Sequence, residues 1–203
     1  MSPPQTARLA LFDFDETLIR ENSLGVLFRA LGRCGPLWLE ALGVFFYDRV
    51  YREGIRPAVK QQLYGHCLAG AVEADLLRHG RERASALHPI AETVRRLRAL
   101  HEDGVEIWIV TATPRPFVQG IIETLGWPVR RVLGTEPPTL DGLHYSGEIG
   151  TECRREEKTR RIQEELADWS GEIVAAYGNA PDDLPMLALA RQGFVVHKGR
   201  ILT

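Results

Sequence analysis

Asp13 and Asp15 stand one residue apart in Phe12-Asp13-Phe14-Asp15-Glu16-Thr17, directly after the apolar run at 9–12. Two carboxylates within a few ångströms repel each other unless a cation lies between them or one holds a proton. Such a pair suits a metal-assisted nucleophile beside a general acid. The same residues also suit a structural role, in which Asp15 or Thr17 caps the helix that follows the strand. Spacing alone does not separate the two.

Three more polar groups end apolar runs or open a helix. Thr111, Ala112 and Thr113 close the run Ile107-Trp108-Ile109-Val110. A hydroxyl and free backbone N–H groups there can hold a phosphoryl oxygen, or the threonine can cap the next helix. Lys158, in Glu156-Glu157-Lys158-Thr159-Arg160-Arg161, belongs either to a solvated charged face or to a buried site where it neutralises a carboxylate. Gly178-Asn179-Ala180-Pro181-Asp182-Asp183 offers oxygen ligands that suit hard Mg²⁺, in a segment that is also ordinary turn chemistry.

The elements that must position these groups alternate. Strand patterns fall at 9–12, 105–110, 173–177 and 194–196, with a weaker one at 129–133, and helical patterns at 90–102, 116–125 and 156–169. This alternation predicts an α/β fold, a Rossmann-like parallel sheet with helices on both faces. In such sheets ligands bind beyond the carboxyl ends of the strands, at the topological switch point. Asp141-Gly142 predicts a hairpin turn with 143–149 as its second arm. The interval 20–88 holds no strand pattern and is cut into short helices by glycine and proline. It is too long for a crossover. It predicts a helical cap inserted after the first strand, over a core of 1–19 and 89–203.

At 203 residues, 44% hydrophobic and 26% charged, the chain has an ordinary globular composition. Its net charge of −2 gives no bulk attraction to nucleic acid. Cys34, Cys67 and Cys153 are widely spaced and show no zinc-ligand pattern, which predicts no disulfide framework and a cytoplasmic location. The first strand pattern begins too early for a preceding signal peptide, and the apolar segment 36–47 carries Glu40 and is too short to span a membrane.

Taken in order, Asp13-Phe14-Asp15-Glu16-Thr17, the run into Thr111, Cys153-Arg154-Arg155-Glu156-Glu157-Lys158, and Gly178 to Asp183 with Leu184-Pro185-Met186-Leu187 resemble the haloacid dehalogenase superfamily. The cap position is similar to that of its phosphoserine phosphatase-like branch. The lead to Lys158 and the ending after Asp183 are similar to the phosphatidylglycerophosphatase C-type hydrolases. The resemblance implies that Asp13 is the nucleophile and forms an aspartyl-phosphate. It implies that Asp15 protonates the leaving alkoxide and then deprotonates water. Thr111, Ala112, Lys158 and Asp182 would hold the phosphoryl group. Asp13, the main-chain carbonyl of Asp15, Asn179 and Asp183 would hold Mg²⁺.

Two positions depart from the pattern. Asn179 stands where the branch has aspartate, which predicts weaker metal binding with more of it carried by Asp183. Arg155 stands where glycine is expected. The glutamate that reads the amino group of phosphoserine would fall at Asn22, so phosphoserine is not the expected substrate. Glu21 and Asn22 would line the cleft between cap and core. Arg49, Arg52, Arg56 and Lys60 are spaced to share one helical face, either solvated or receiving an anionic or lipid headgroup. The apolar segment 37–47 beside them serves as cap core or meets a lipid tail.

The expected function is a Mg²⁺-dependent phosphomonoester hydrolase acting on a small phosphorylated metabolite or a phospholipid headgroup. A phosphoacceptor signalling module and a non-catalytic phosphate- or lipid-binding relic are the competing readings.

Overall fold

Leu9 to Phe12 are fully or almost fully buried, the pattern of a strand covered on both faces. In the computed structural model, which describes residues 7–32 and 55–202, they form the centre of a six-stranded sheet. The strands are β1 (Ala7–Phe12), β2 (Glu106–Pro114), β3 (Arg131–Thr135), β4 (Gly171–Gly178), β5 (Gly193–His197) and β6 (Arg200–Leu202). Their order is β3-β2-β1-β4-β5-β6, and all pairs are parallel except β5 with β6. The chain runs outward from β1 through β2 to β3, then returns to the other side of β1 as β4. The switch point therefore lies between β1 and β4, where Asp13 leaves the sheet.

The expected α/β architecture is present. Its helices are α1 (Ser23–Leu31), α2 (Ile55–Cys67), α3 (Glu73–Arg83), α4 (Ala91–Glu102), α5 (Arg115–Leu125), α6 (Glu156–Glu165) and the single turn α7 (Leu184–Leu187). Alternate β1 side chains serve opposite faces. Ala10 and Phe12 share a core with Leu97 of α4 and Phe117 and Ile121 of α5. Leu9 and Leu11 share the other with Ile162 of α6 and Met186 of α7.

Between residues 20 and 88 the described elements are helices, apart from an isolated bridge of Val72 to His144. Helix α1 meets α2 through Phe28 and Tyr64, edge to face at 5.4 Å. Helix α3 instead packs on α5 at backbone distance. A Cβ on Gly80 would lie 2.1 Å from the Phe117 carbonyl oxygen, and one on Gly120 2.2 Å from that of Leu77. Both positions need glycine for the helices to touch. The two chain connections into and out of this interval run side by side. Arg20 N–H donates to the His88 carbonyl at 3.0 Å and Ile90 N–H to that of Leu18 at 2.8 Å. The Glu21 carboxylate accepts from the His88 backbone N–H and contacts its ring Nδ1.

Several boundaries differ from expectation. Strand β2 runs on to Pro114 rather than stopping at Val110, and α6 ends at Glu165 rather than Trp169. Strand β6 has no counterpart among the sequence patterns; Lys198 and Gly199, at φ +48° and +76°, form the two-residue turn that makes it a hairpin with β5. Asp141-Gly142 does turn the chain, with Asp141 Oδ1 accepting the N–H groups of Leu143 and His144. The arm at 143–149 reduces to isolated bridges at His144 and Tyr145. Cys153 is free and buried, but Cys67 is disulfide-bonded. One bonded cysteine is not a disulfide framework, but it weakens the cysteine argument for a reducing compartment. Arg49, Arg52, the side chain of Arg56 and the segment 37–47 lie outside the described residues. No helix among the described residues is long and apolar enough to cross a membrane.

Candidate active site

Asp13 is the first residue past β1, and its N–H donates to the Tyr177 carbonyl of β4 at 2.8 Å. That bond directs its carboxylate beyond the sheet at the switch point. Asp13 is 6% exposed. Its Oδ2 accepts from the Thr17 hydroxyl at 2.9 Å, and its Oδ1 accepts from the Lys158 ammonium at 2.7 Å. Lys158, on the first turn of α6, is 3% exposed and also donates to Asp183 Oδ1 at 2.6 Å. Of its two sequence readings, the inward one holds. Burial alone would lower the Lys158 pKa, but Asp13 and Asp183 together raise it above the ordinary lysine value.

Asp183 Oδ2 accepts the Asn179 N–H at 2.8 Å. Both Asp183 oxygens accept from the protein's own donors, so this side chain anchors Lys158 and the 179–183 loop. Burial, and then the charge of Asp13, raise its pKa. Gly178 makes that fold possible. A Cβ there would lie 2.6 Å from the Asp183 Cβ and 2.7 Å from its Oδ2.

Asp15 is held from the opposite side. Ser23 N–H, at the start of α1, donates to its Oδ1 at 2.8 Å, and the Thr113 hydroxyl donates to its Oδ2 at 3.2 Å. The Ser23 hydroxyl in turn donates to Thr113 Oγ1 at 2.8 Å. Burial, and then the nearby Asp13 charge, push the Asp15 carboxyl up to about 6. The acid pair thus differs in surroundings: Asp13 faces a cation and Asp15 faces hydroxyl and amide donors. Two carboxyls in unlike environments are what a nucleophile and an acid require.

A cavity of about 250 Å³ opens over these groups. It is lined by Asp13, Asp15, Ala112, Lys158, Asn179, Asp182 and Asp183, as expected, and also by Thr113. Thr111 is fully buried, and its hydroxyl oxygen accepts the Thr113 N–H at 3.2 Å. The rim carries Asn22, Leu24, Lys60, Glu152 and Arg154. Asn22 lines the cavity while capping α1 through the Gly25 N–H. Lys60 of α2 forms an ion pair with Glu152. Asp182 is gripped by Arg154 and Arg155, with Nε to carboxylate distances of 2.8 Å for each. Thr113 is one of the two threonines the sequence leaves open as phosphate holder or helix cap, whereas Ser23, Glu152 and Arg154 are not singled out by the sequence as site residues. Only Ser23 carried a usable signal, its place directly after a helix-capping asparagine close to the acid pair.

Among the described residues no group of three His, Cys, Asp or Glu side chains is placed to hold a metal. The donors at hand are instead mixed: the Asp13 carboxylate, the Asp15 main-chain carbonyl and the Asn179 amide, whose Nδ2 lies 3.4 Å from that carbonyl. Half a turn of the amide brings its Oδ1 to the same place. An all-oxygen set with few carboxylates fits Mg²⁺, which retains several waters.

A doubly wound sheet with an acid pair at its switch point defines a class of α/β proteins built around strand-end carboxylates. The chain belongs to the haloacid dehalogenase-like hydrolase family, whose match runs over residues 10–188. It is thus an enzyme, which sets aside the signalling-module and non-catalytic readings. It is similar to a structure from Bordetella pertussis Tohama I described as a protein with unknown function, at 26% identity and a TM-score of 0.71, covering 93% of this chain and 89% of that one. A HAD family hydrolase from Salmonella enterica subsp. enterica serovar Typhi matches at 18% identity and a TM-score of 0.60, over 93% of this chain and 62% of that one. A phosphoserine phosphatase, solved as a phospho-aspartyl intermediate analogue, matches at 17% identity and a TM-score of 0.57, over 93% and 86%. At those identities the last two establish shared fold. No curated protein matches the chain.

Proposed function

We propose that the protein is a Mg²⁺-dependent phosphomonoester hydrolase working through an aspartyl-phosphate on Asp13. The observation that carries this reading is the Lys158 ammonium seated between Asp13 and Asp183 in the cavity that also holds Asp15. The structural likeness to phosphoserine phosphatases supports it.

A carboxylate oxygen of Asp13 attacks phosphorus, forming the O–P bond of an acyl phosphate as the ester P–O bond breaks. Asp15 gives its proton to the departing alkoxide, releasing an alcohol. Asp15 then takes a proton from water as that water attacks the aspartyl-phosphate, which returns the Asp13 carboxylate and frees inorganic phosphate. Ser23 and Thr113 hold Asp15 in place for both steps. Lys158, with Ala112 and Thr113 on the cavity wall, receives the phosphoryl oxygens. Phosphoryl transfer asks chiefly for position and charge neutralisation, and a fixed buried lysine supplies both. Mg²⁺, held by Asp13, the Asp15 carbonyl and Asn179, would add further neutralisation of the phosphate.

Residues 20–88 act as the cap that selects the leaving group. Its contribution to the cavity includes Asn22, Leu24 and Lys60. A rim of paired charges suits a small polar leaving group, from a phosphorylated metabolite or from a phospholipid headgroup. Phosphate release from p-nitrophenyl phosphate and from a panel of phosphorylated metabolites and a lipid phosphate tests this. The expected result is Mg²⁺-dependent turnover that Asp15→Asn cuts at least about a hundredfold. No release from any member of the panel with Mg²⁺ present would refute it.

A further inference from the structure

Arg155 adopts φ +53° and ψ −124°, a region that glycine enters freely and other residues resist. Packing does not hold it there, since its side chain is 58% exposed. Two bonds do. The Arg155 carbonyl accepts the Lys158 N–H at 3.1 Å, starting the turn that aims Lys158 at Asp13. The Arg155 Nε donates to Asp182 Oδ1 at 2.8 Å, while Arg154 Nε takes Asp182 Oδ2 at 2.8 Å. Asp182 lies between Asn179 and Asp183, so this grip fastens the 179–183 loop to the start of α6. Strained residues persist where their surroundings over-determine them, and they gather at functional sites.

We propose that Arg155 is a positioning residue: its strained backbone lets it clamp Asp182 together with Arg154, holding Asn179 at the metal position while Lys158 stays on Asp13. The inference rests on the metal reading given above. It assigns Asp182, expected to hold phosphate, to the clamp instead.

The test measures thermal unfolding against Mg²⁺ concentration for the wild type, Arg155→Ala, Arg155→Gly and Asp182→Ala, alongside phosphatase activity. Both Arg155 variants lose the Arg155 half of the clamp, leaving Arg154 alone on Asp182, but only Ala keeps the strain. Arg155→Gly should therefore melt several degrees above Arg155→Ala without metal. All three variants should need roughly tenfold more Mg²⁺ than the wild type for half of its stabilising effect and for half-maximal activity. Wild-type Mg²⁺ midpoints in the variants would overturn the clamp, and equal melting of the Ala and Gly variants would overturn the strain. A wild type that Mg²⁺ neither stabilises nor activates would instead overturn the metal reading, and this inference with it.

Discussion

The Lys158 ammonium lies 2.7 Å from the Asp13 carboxylate, across 145 positions of sequence, with both groups buried. Breaking a buried ion pair from one side leaves the other charge uncompensated. Lys158→Met is therefore expected to abolish phosphatase activity and to lower unfolding free energy at neutral pH by about 3 kcal/mol or more. Burial already raises the Asp183 carboxyl, and losing its cation raises it further above the unfolded-state value. The folded variant then binds more protons than the unfolded chain, so its stability should recover in part as pH falls from 7 to 5. Urea unfolding at several pH values checks both the loss and its direction.

Gly178 and Asp183 form a second close relationship, because a Cβ at 178 would strike the Asp183 side chain. Gly178→Ala should displace Asp183 from Lys158 and Asn179. The expected outcome is a stability loss of about 1–3 kcal/mol, as for other overpacked sites, with activity falling more steeply than stability. Gly178→Ala with unchanged activity would show that Asp183 need not sit where it does.

Asn179 supplies a neutral amide where a carboxylate would place a negative charge beside the cation. Asn179→Asp should lower the Mg²⁺ concentration for half-maximal activity, by roughly tenfold. Isothermal titration with Mg²⁺ alone checks the same shift without substrate. An unchanged or higher Mg²⁺ requirement would remove Asn179 from the proposed ligand set.

The Glu21–His88 contact ties together the two ends of the interval 20–88. Burial works against the Glu21 carboxylate, but its bonds to His88 outweigh this and hold its pKa below the usual value. The contact stabilises the fold above the unfolded-state pKa and is lost as pH falls through the lower folded value. Glu21→Gln should therefore cost about 0.5 kcal/mol at pH 7, and the gap from wild type should close toward pH 3. Parallel thermal unfolding of the two proteins over that range measures it.

Much of the sheet and the acid pair was legible because both are local. An apolar run that stops at Asp13 shows where a buried strand meets solvent, and Gly178 to Asp183 shows where another does. Lys158 was ambiguous in isolation, since its charged neighbours Glu157, Arg160 and Arg161 pair among themselves while it alone reaches the acid pair. The clasp on Asp15 was not legible. Ser23 and Thr113 are 90 positions apart and meet only when α1 docks over the end of β2. The extension of β2 to Pro114 likewise depends on its neighbour, β3, which pairs with Pro114 through Thr135. Helix α3 reads as part of the insert because it shares its composition, yet Gly80 and Gly120 seat it on α5. Such close helix contacts leave no periodic mark in sequence.

Acid-quenched peptide mapping of the enzyme during turnover addresses the central claim most directly. With Mg²⁺ and p-nitrophenyl phosphate, a phosphoryl group should be found on the peptide containing Asp13, be absent in Asp13→Asn, and disappear as substrate runs out. Sustained phosphate release by Asp13→Asn, or a phosphoryl group trapped on another residue of the wild type, would contradict the account.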